Sequence, residues 1–294
     1  MSKIIIKTEN LIKKYDSNFF ALDGLNMNVP EGAVYGFVGR NGAGKTTTLR
    51  AFMSLLKPTS GHIEVLGTNP WNMPKNIREQ IGYTSDSMQL IPWLKVGEMI
   101  NCNASFYENW DKDYVEQWVK RLNLPLNKRV FSLSRGNRQK LGLVMAIGHR
   151  PKVLILDEPA GGLDPIARRE FLESIIQLIH ESGTTIVLSS HQMSDLERIA
   201  EHIGIIDNGK MKVETTLEEL KETTRTIRIA SKTKFDKPND KDIIKFESFA
   251  NAASITYKNF NQQKLLQIKQ QFKDIDLQID SLSLEEIFLA YIDN

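Results

Sequence analysis

The stretch Gly39-Arg40-Asn41-Gly42-Ala43-Gly44-Lys45-Thr46 carries the residue types that hold a polyphosphate, at the spacing Gly-x4-Gly-Lys-Thr. Glycines let backbone N–H groups converge on phosphate oxygens where a Cβ would obstruct them. Asn41, Gly42, Ala43 and Gly44 supply that backbone, Lys45 reaches the β and γ phosphates, and Thr46 and Thr47 open a helix. The N-terminus of that helix adds about half a positive charge. The Thr46 hydroxyl suits Mg²⁺. A second chemical element is Leu154-Ile155-Leu156-Asp157-Glu158, an apolar run that ends in two carboxylates. Asp157 suits a Mg²⁺ role, direct or through water. Glu158 is placed to polarise or deprotonate an attacking water.

These side chains need a sheet edge to meet on. Val34–Val38 is a short apolar run directly before the glycine-rich loop, and Thr47–Leu56 reads as the helix after it, stopped by Lys57-Pro58. Val153–Leu156 reads as a strand buried on both faces. Further strands are expected at Ile4–Thr8, His62–Leu66, Thr185–Ser189 and Ile203–Ile206. Helices are expected at Tyr114–Leu124, Gln139–Ile147, Ile166–His180 and Met193–His202. Strands alternating with helices argue for an α/β fold with a partly parallel sheet. A helix-rich stretch at about 90–150 interrupts the alternation as a subdomain. After Leu220 the composition turns to Lys, Thr and Asp. Weak strands at Thr226–Ala230 and Ala253–Tyr257, a polar helix Gln262–Phe272, a strand Asp276–Asp280 and a helix Leu284–Tyr291 read as a small α+β domain. The expected domains are 1–222 and 223–294.

Composition narrows the classes. The chain has 294 residues, 38 Lys+Arg against 36 Asp+Glu, and 41% hydrophobic residues, which is ordinary for a globular protein of about two domains. The single cysteine, Cys102, forms no internal disulfide. A net charge of +2 gives no basic field for nucleic acid, so no nucleic-acid partner is expected. No apolar run approaches the roughly 18 residues that span a bilayer, so a cytosolic chain is expected.

Other residues complete a pattern. Leu133-Ser134-Arg135-Gly136-Asn137 precedes the Val153 strand, Gly162-Leu163-Asp164 follows the acidic pair, and Ser189-Ser190 leads into His191. Together with the phosphate loop these motifs, over roughly residues 4–220, resemble the ATP-binding subunit of an ABC transporter. The resemblance implies a P-loop NTPase cassette with a helical subdomain, binding ATP and Mg²⁺ and hydrolysing ATP. Leu133–Asn137 resembles the family's signature motif, with Ser134 and Gly136 as a second anion site that closes over ATP on another subunit. Gly162–Asp164 resembles the D-loop, and His191 the histidine that contacts the γ-phosphate and the attacking water. Tyr15 falls where the family stacks an aromatic ring on adenine. The partners implied are a second ATP-binding subunit, head to tail, and a separate integral membrane permease. The place implied is the inner face of the cell membrane. The ending Ser281–Leu289 is similar to that of ATPase subunits of two-component exporters.

Two places depart from the pattern. Asp86 stands where the family carries its Q-loop glutamine, a ligand of Mg²⁺ and of the attacking water, and Gln89 takes that place only if the loop is re-registered. Arg135 and Asn137 replace a glycine and a glutamine of the signature. A non-transport ABC ATPase acting on ribosomes or DNA is the competing class. It usually brings a second cassette or a long coiled-coil insertion, and neither is visible in the sequence.

Overall fold

A computed structural model describes residues 3–16, 19–230, 237–249, 252–271 and 276–293. The chain separates into two units, residues 1–214 and 215–294. Elements run in the first unit as β1 (Ile4–Asp16), β2 (Phe19–Pro30), β3 (Val34–Val38), α1 (Lys45–Phe52), β4 (Ser60–Val65), α2 (Lys75–Arg78), β5 (Ile81–Ser85) and α3 (Val96–Ala104). They continue as α4 (Lys112–Arg121), α5 (Arg135–Ile147), β6 (Val153–Asp157), α6 (Pro165–Ser182), β7 (Thr185–Ser190), α7 (Met193–Ile199), β8 (His202–Asp207) and β9 (Lys210–Thr216), whose last two residues count with the second unit.

Two sheets form. The larger has strand order β5-β6-β7-β3-β8-β9, and the four pairings from β5 through β8 are parallel. Every residue of β3, β6 and β7 is buried, as their continuous apolar runs require of central strands. The smaller sheet, β2-β1-β4, is antiparallel. Helix α1 touches β2, β4 and β6, and its Leu49 and Phe52 join one core with Leu25 and Met27 of β2 and Ile155 of β6. The helices α3 and α4 both pack on α5, and α5 packs on β5, so α5 joins the helical segment to the sheet edge.

Several element ends differ from the sequence expectation for local reasons. Helix α1 stops at Phe52 rather than Leu56, because Ser54 takes a left-handed φ of 58° and Leu55 N donates back to Arg50 O at 2.9 Å. Helix α5 starts at Arg135, ahead of Gln139, because Ser134 caps it: Asn137 N donates to Ser134 Oγ at 3.2 Å. Helix α7 ends at Ile199 because Glu201 N donates to Val34 O and His202 already pairs with Tyr35 in β8. Strand β1 runs on to Asp16 past its polar residues, since it pairs with β4 as far as Ile12 and with β2 through Asp16.

The second unit holds α8 (Leu217–Thr223), β10 (Arg225–Ala230), β11 (Ile243–Phe249), β12 (Ala252–Tyr257), α9 (Gln262–Gln271), β13 (Asp276–Ser281) and α10 (Leu284–Ile292). Its antiparallel sheet has the order β11-β12-β10-β13. Ile227, Ile229, Ala253, Ile255, Tyr257 and Ile268 form its core. Residue Phe272 of the expected α9 lies outside the described residues. Among the described residues no helix is long and apolar enough to cross a membrane.

Candidate functional site

Because β5, β6, β7 and β3 are parallel, their carboxyl ends reach one edge of the sheet, where open α/β folds bind ligands. A cleft of about 410 Å³ opens there. Strand β3 delivers the loop 39–44 to it, β6 delivers Glu158, β7 delivers His191, and β5 delivers Asp86.

The loop turns sharply into α1. Gly44 has φ 112°, and a Cβ there would lie 2.6 Å from Ala21 O, so the turn requires glycine. The side chain of Lys45 is buried and folds back along the loop, donating from Nζ to Gly39 O at 2.7 Å. The same Nζ stands 3.4 Å from Glu158 Oε1. On its other oxygen Glu158 meets His191 Nδ1 at 2.6 Å. Glu158 holds a left-handed φ of 51°, unusual for a side-chain-bearing residue. Its backbone N donates to Ser189 Oγ at 2.9 Å, which fixes that turn against β7. The result is a row of ammonium, carboxylate and imidazole across the mouth of the phosphate loop.

Asp157 lies beneath this row. The register places it opposite Ser189. Ser189 Oγ donates to Asp157 Oδ1 at 2.8 Å, and Thr46 Oγ1 donates to the same oxygen at 3.2 Å. Burial pushes the Asp157 carboxyl upward from its ordinary value, against the two hydroxyl hydrogen bonds. A hydroxyl and a carboxylate this close are hard oxygen donors of the kind Mg²⁺ takes alongside phosphate oxygens and water. Among the described residues no group of three or more His, Cys, Asp or Glu forms a cage of its own.

Of the residues expected to act, Tyr15, Asn41, Gly42, Gly44, Lys45, Thr46, Thr47, Asp86, Glu158 and His191 line the cleft. Gly39 and Ala43 belong to the loop without lining it, and Ala43 N donates to Arg40 O at 3.1 Å. Ser134, Gly136 and Asp164 stand apart. Ser134 is exposed as the cap of α5, and a Cβ on Gly136 would sit 3.3 Å from Ala167 Cβ. Asp164 caps α6, accepting from Ile166 N and Ala167 N at 3.0 Å each.

Phe19 and Arg135 are among the lining residues to which the sequence reading gives no role in the site. Phe19 stacks on Tyr15 with ring centroids 6.3 Å apart and an interplanar angle of 23°. The only signal for it is an aromatic a few residues further along the chain. Arg135, read only as a departure from the signature, lines the cleft and forms an ion pair with Asp86. The opposite signs of these two departures are the cue, but only the fold brings residues 86 and 135 together.

Residues 22–161 match the family described as ABC transporter. The chain is 40% identical over 223 residues to the bacitracin transport ATP-binding protein BcrA of Bacillus licheniformis, covering 75% of this chain and 72% of that one. The chain belongs to the ABC transporter ATP-binding proteins. Among solved structures, cbiO1 from Clostridium perfringens, part of the ABC transporter complex cbiONQ, is similar. Its TM-score is 0.65 and its identity 28%, covering 74% of this chain and 91% of that one. MJ0796, a bacterial ABC transporter cassette solved as a dimer, has a TM-score of 0.63 and 25% identity, covering 72% of this chain and 98% of that one. The P-loop cassette fold expected from the motifs is therefore this chain's fold, and as an ABC transporter ATP-binding subunit it is an ATPase.

Proposed function

We propose that this ABC subunit is the motor of an exporter, with residues 1–222 as cassette, about 90–150 as its helical subdomain, and 223–294 as an accessory domain. The observation that carries the reading is the row Lys45–Glu158–His191, with contacts of 3.4 Å and 2.6 Å over the glycine loop. In this reading Lys45 and the N–H groups of residues 39–47 bind the β and γ phosphates. Glu158 orients and deprotonates the attacking water, and His191 steadies both that carboxylate and the γ-phosphate. Tyr15, backed by Phe19, stacks on adenine. Thr46 and Asp157 would hold Mg²⁺, which would supply charge neutralisation for the bound phosphates. Asp86, the other expected ligand, enters through its ion pair with Arg135.

Ser134 and Gly136 lie outside the chain's own cleft while the N-terminus of α5 remains an anion-binding end. That favours a head-to-tail dimer in which each signature closes over ATP held by the other subunit. MJ0796, solved as a dimer, supports the pairing of two such subunits. ATP bound across two chains favours the closed form by its differential affinity, and hydrolysis removes that preference. A separate integral membrane permease would convert the cycle into transport, holding this subunit at the inner face of the membrane. The likeness to a bacitracin transport subunit and the ending Ser281–Leu289 favour export of a peptide-like compound. Affinity purification of the full chain from a detergent extract tests this: a polytopic membrane protein should accompany it. Ribosomes or DNA in its place would move the chain to the non-transport class.

A further inference from the structure

Asp86 and Arg135 are separate departures from the family motifs, 49 residues apart in sequence, and the fold makes them one unit. Arg135 Nε donates to Asp86 Oδ1 at 3.1 Å while its Nη2 donates to Oδ2 at 2.5 Å, a two-bonded fork. Gln139, one turn further along α5 and buried, donates Nε2 to the same Oδ1 at 2.9 Å. From the other side, Asp86 N donates to Asp157 O at 3.1 Å, anchoring this aspartate to the end of β6. The guanidinium also lies over Gly162, where a Cβ would overlap it. Arg135 thus bridges the loop after β5, the segment after Glu158 and the first turn of α5.

An isolated ion pair at this exposure, 46% for Arg135 and 33% for Asp86, contributes little. A two-bonded guanidinium–carboxylate pair with a third, buried donor is a different case, because geometry as well as charge is specified. The surroundings add a reason for it. Both residues line the cleft, beside the loop that binds polyphosphate in the reading above. A carboxylate left uncompensated there would repel that ligand. A guanidinium provided by the signature helix cancels it and ties that helix to the sheet edge.

We propose that Arg135 is a positioning residue: it neutralises Asp86 for nucleotide binding and latches the signature end of α5 to the loop after β5. The proposal rests on the cleft being the nucleotide site. It assigns the two departures a joint role, so each is tolerated because of the other. Neither substitution alone should then behave like a motif restored.

The test is a cycle of Asp86→Asn, Arg135→Gln and the double variant, in the full chain. Amide hydrogen exchange over residues 133–141, measured without nucleotide, should rise about tenfold in each single variant. It should rise no further in the double variant, because one latch is lost in all three. Additive increases, or none, would overturn the latch whatever the cleft binds. Affinity for a fluorescent ATP analogue gives the charge arm. Arg135→Gln should weaken binding about tenfold, and adding Asp86→Asn to Arg135→Gln should recover affinity relative to that single variant, because the uncompensated carboxylate is then gone. Arg135→Lys, which keeps the charge without the fork, should restore affinity but not exchange protection. Equal affinity in Arg135→Gln and the unaltered chain would refute the neutralising role. If the unaltered chain binds no ATP analogue, the nucleotide reading fails instead, while the exchange result still judges the latch.

Discussion

Lys45 shows how a single side chain ties the site together. Its ammonium is buried, and its contacts in the structure are the carbonyls of its own loop and Glu158. A buried ammonium persists only where such partners offset its desolvation. In the proposed site Lys45 is the cation for the β and γ phosphates, so on its replacement by Ala the ATP affinity should fall at least about a hundredfold in calorimetric titration. Unchanged affinity would take Lys45 out of the phosphate site. At this scale the sequence was informative wherever a motif has a fixed local geometry. Residues 39–47 lie on one turn, and Asp157 and Glu158 end one strand, so their neighbours in space are neighbours in the chain. Arg135, Gln139 and Phe19 were not legible, because their importance depends on contacts that the linear sequence does not display. Glu158 also takes its left-handed φ from Ser189, thirty-one residues away, and no local rule predicts it.

Helices report their own ends through charge. In α10, Ser283 and Glu286 form a capping box: Glu286 N donates to Ser283 Oγ at 3.3 Å and Ser283 N donates to Glu286 Oε2 at 2.8 Å. The Ser283 N–H, then its hydroxyl, hold the Glu286 carboxyl below the ordinary value of 4.5. In α4, the Tyr114 N–H and then Arg150 hold Asp111 below its ordinary 3.8, against a smaller burial effect in between. Folding thus favours the ionised forms. Their stabilisation is present above the ordinary carboxylate values and disappears as pH falls through the depressed ones. Glu286→Gln should therefore be less stable than the unaltered chain at pH 7, with the gap closing toward pH 3 in denaturant melts. A gap that stays constant across that range would show that Glu286 titrates alike in the folded and unfolded chain. The elements best foreseen were those with one dominant pattern, such as β3, β6 and α4. Strand β11 was missed because Lys245 and Glu247 interrupt its apolar residues, and the start of α5 was missed because Gly136 and Asn137 are poor helix formers.

For the molecule as a whole, the parallel sheet gathers residues 39–47, 86, 157–158 and 191 at one edge; of the signature end of α5, Arg135 lines the cleft there, while Ser134 and Gly136 do not. In the proposed reading one chain therefore supplies a phosphate loop inside its cleft and a signature pair, Ser134 and Gly136, outside it. In the proposed cycle these halves meet between subunits, and hydrolysis through Glu158 sets how long the closed pair lasts. The direct measurement is light scattering of the Glu158→Gln variant with ATP and Mg²⁺, alongside phosphate release. The account predicts an ATP-dependent dimer that persists, with hydrolysis reduced at least about a hundredfold. A variant that remains monomeric with ATP, or releases phosphate at the unaltered rate, would contradict it.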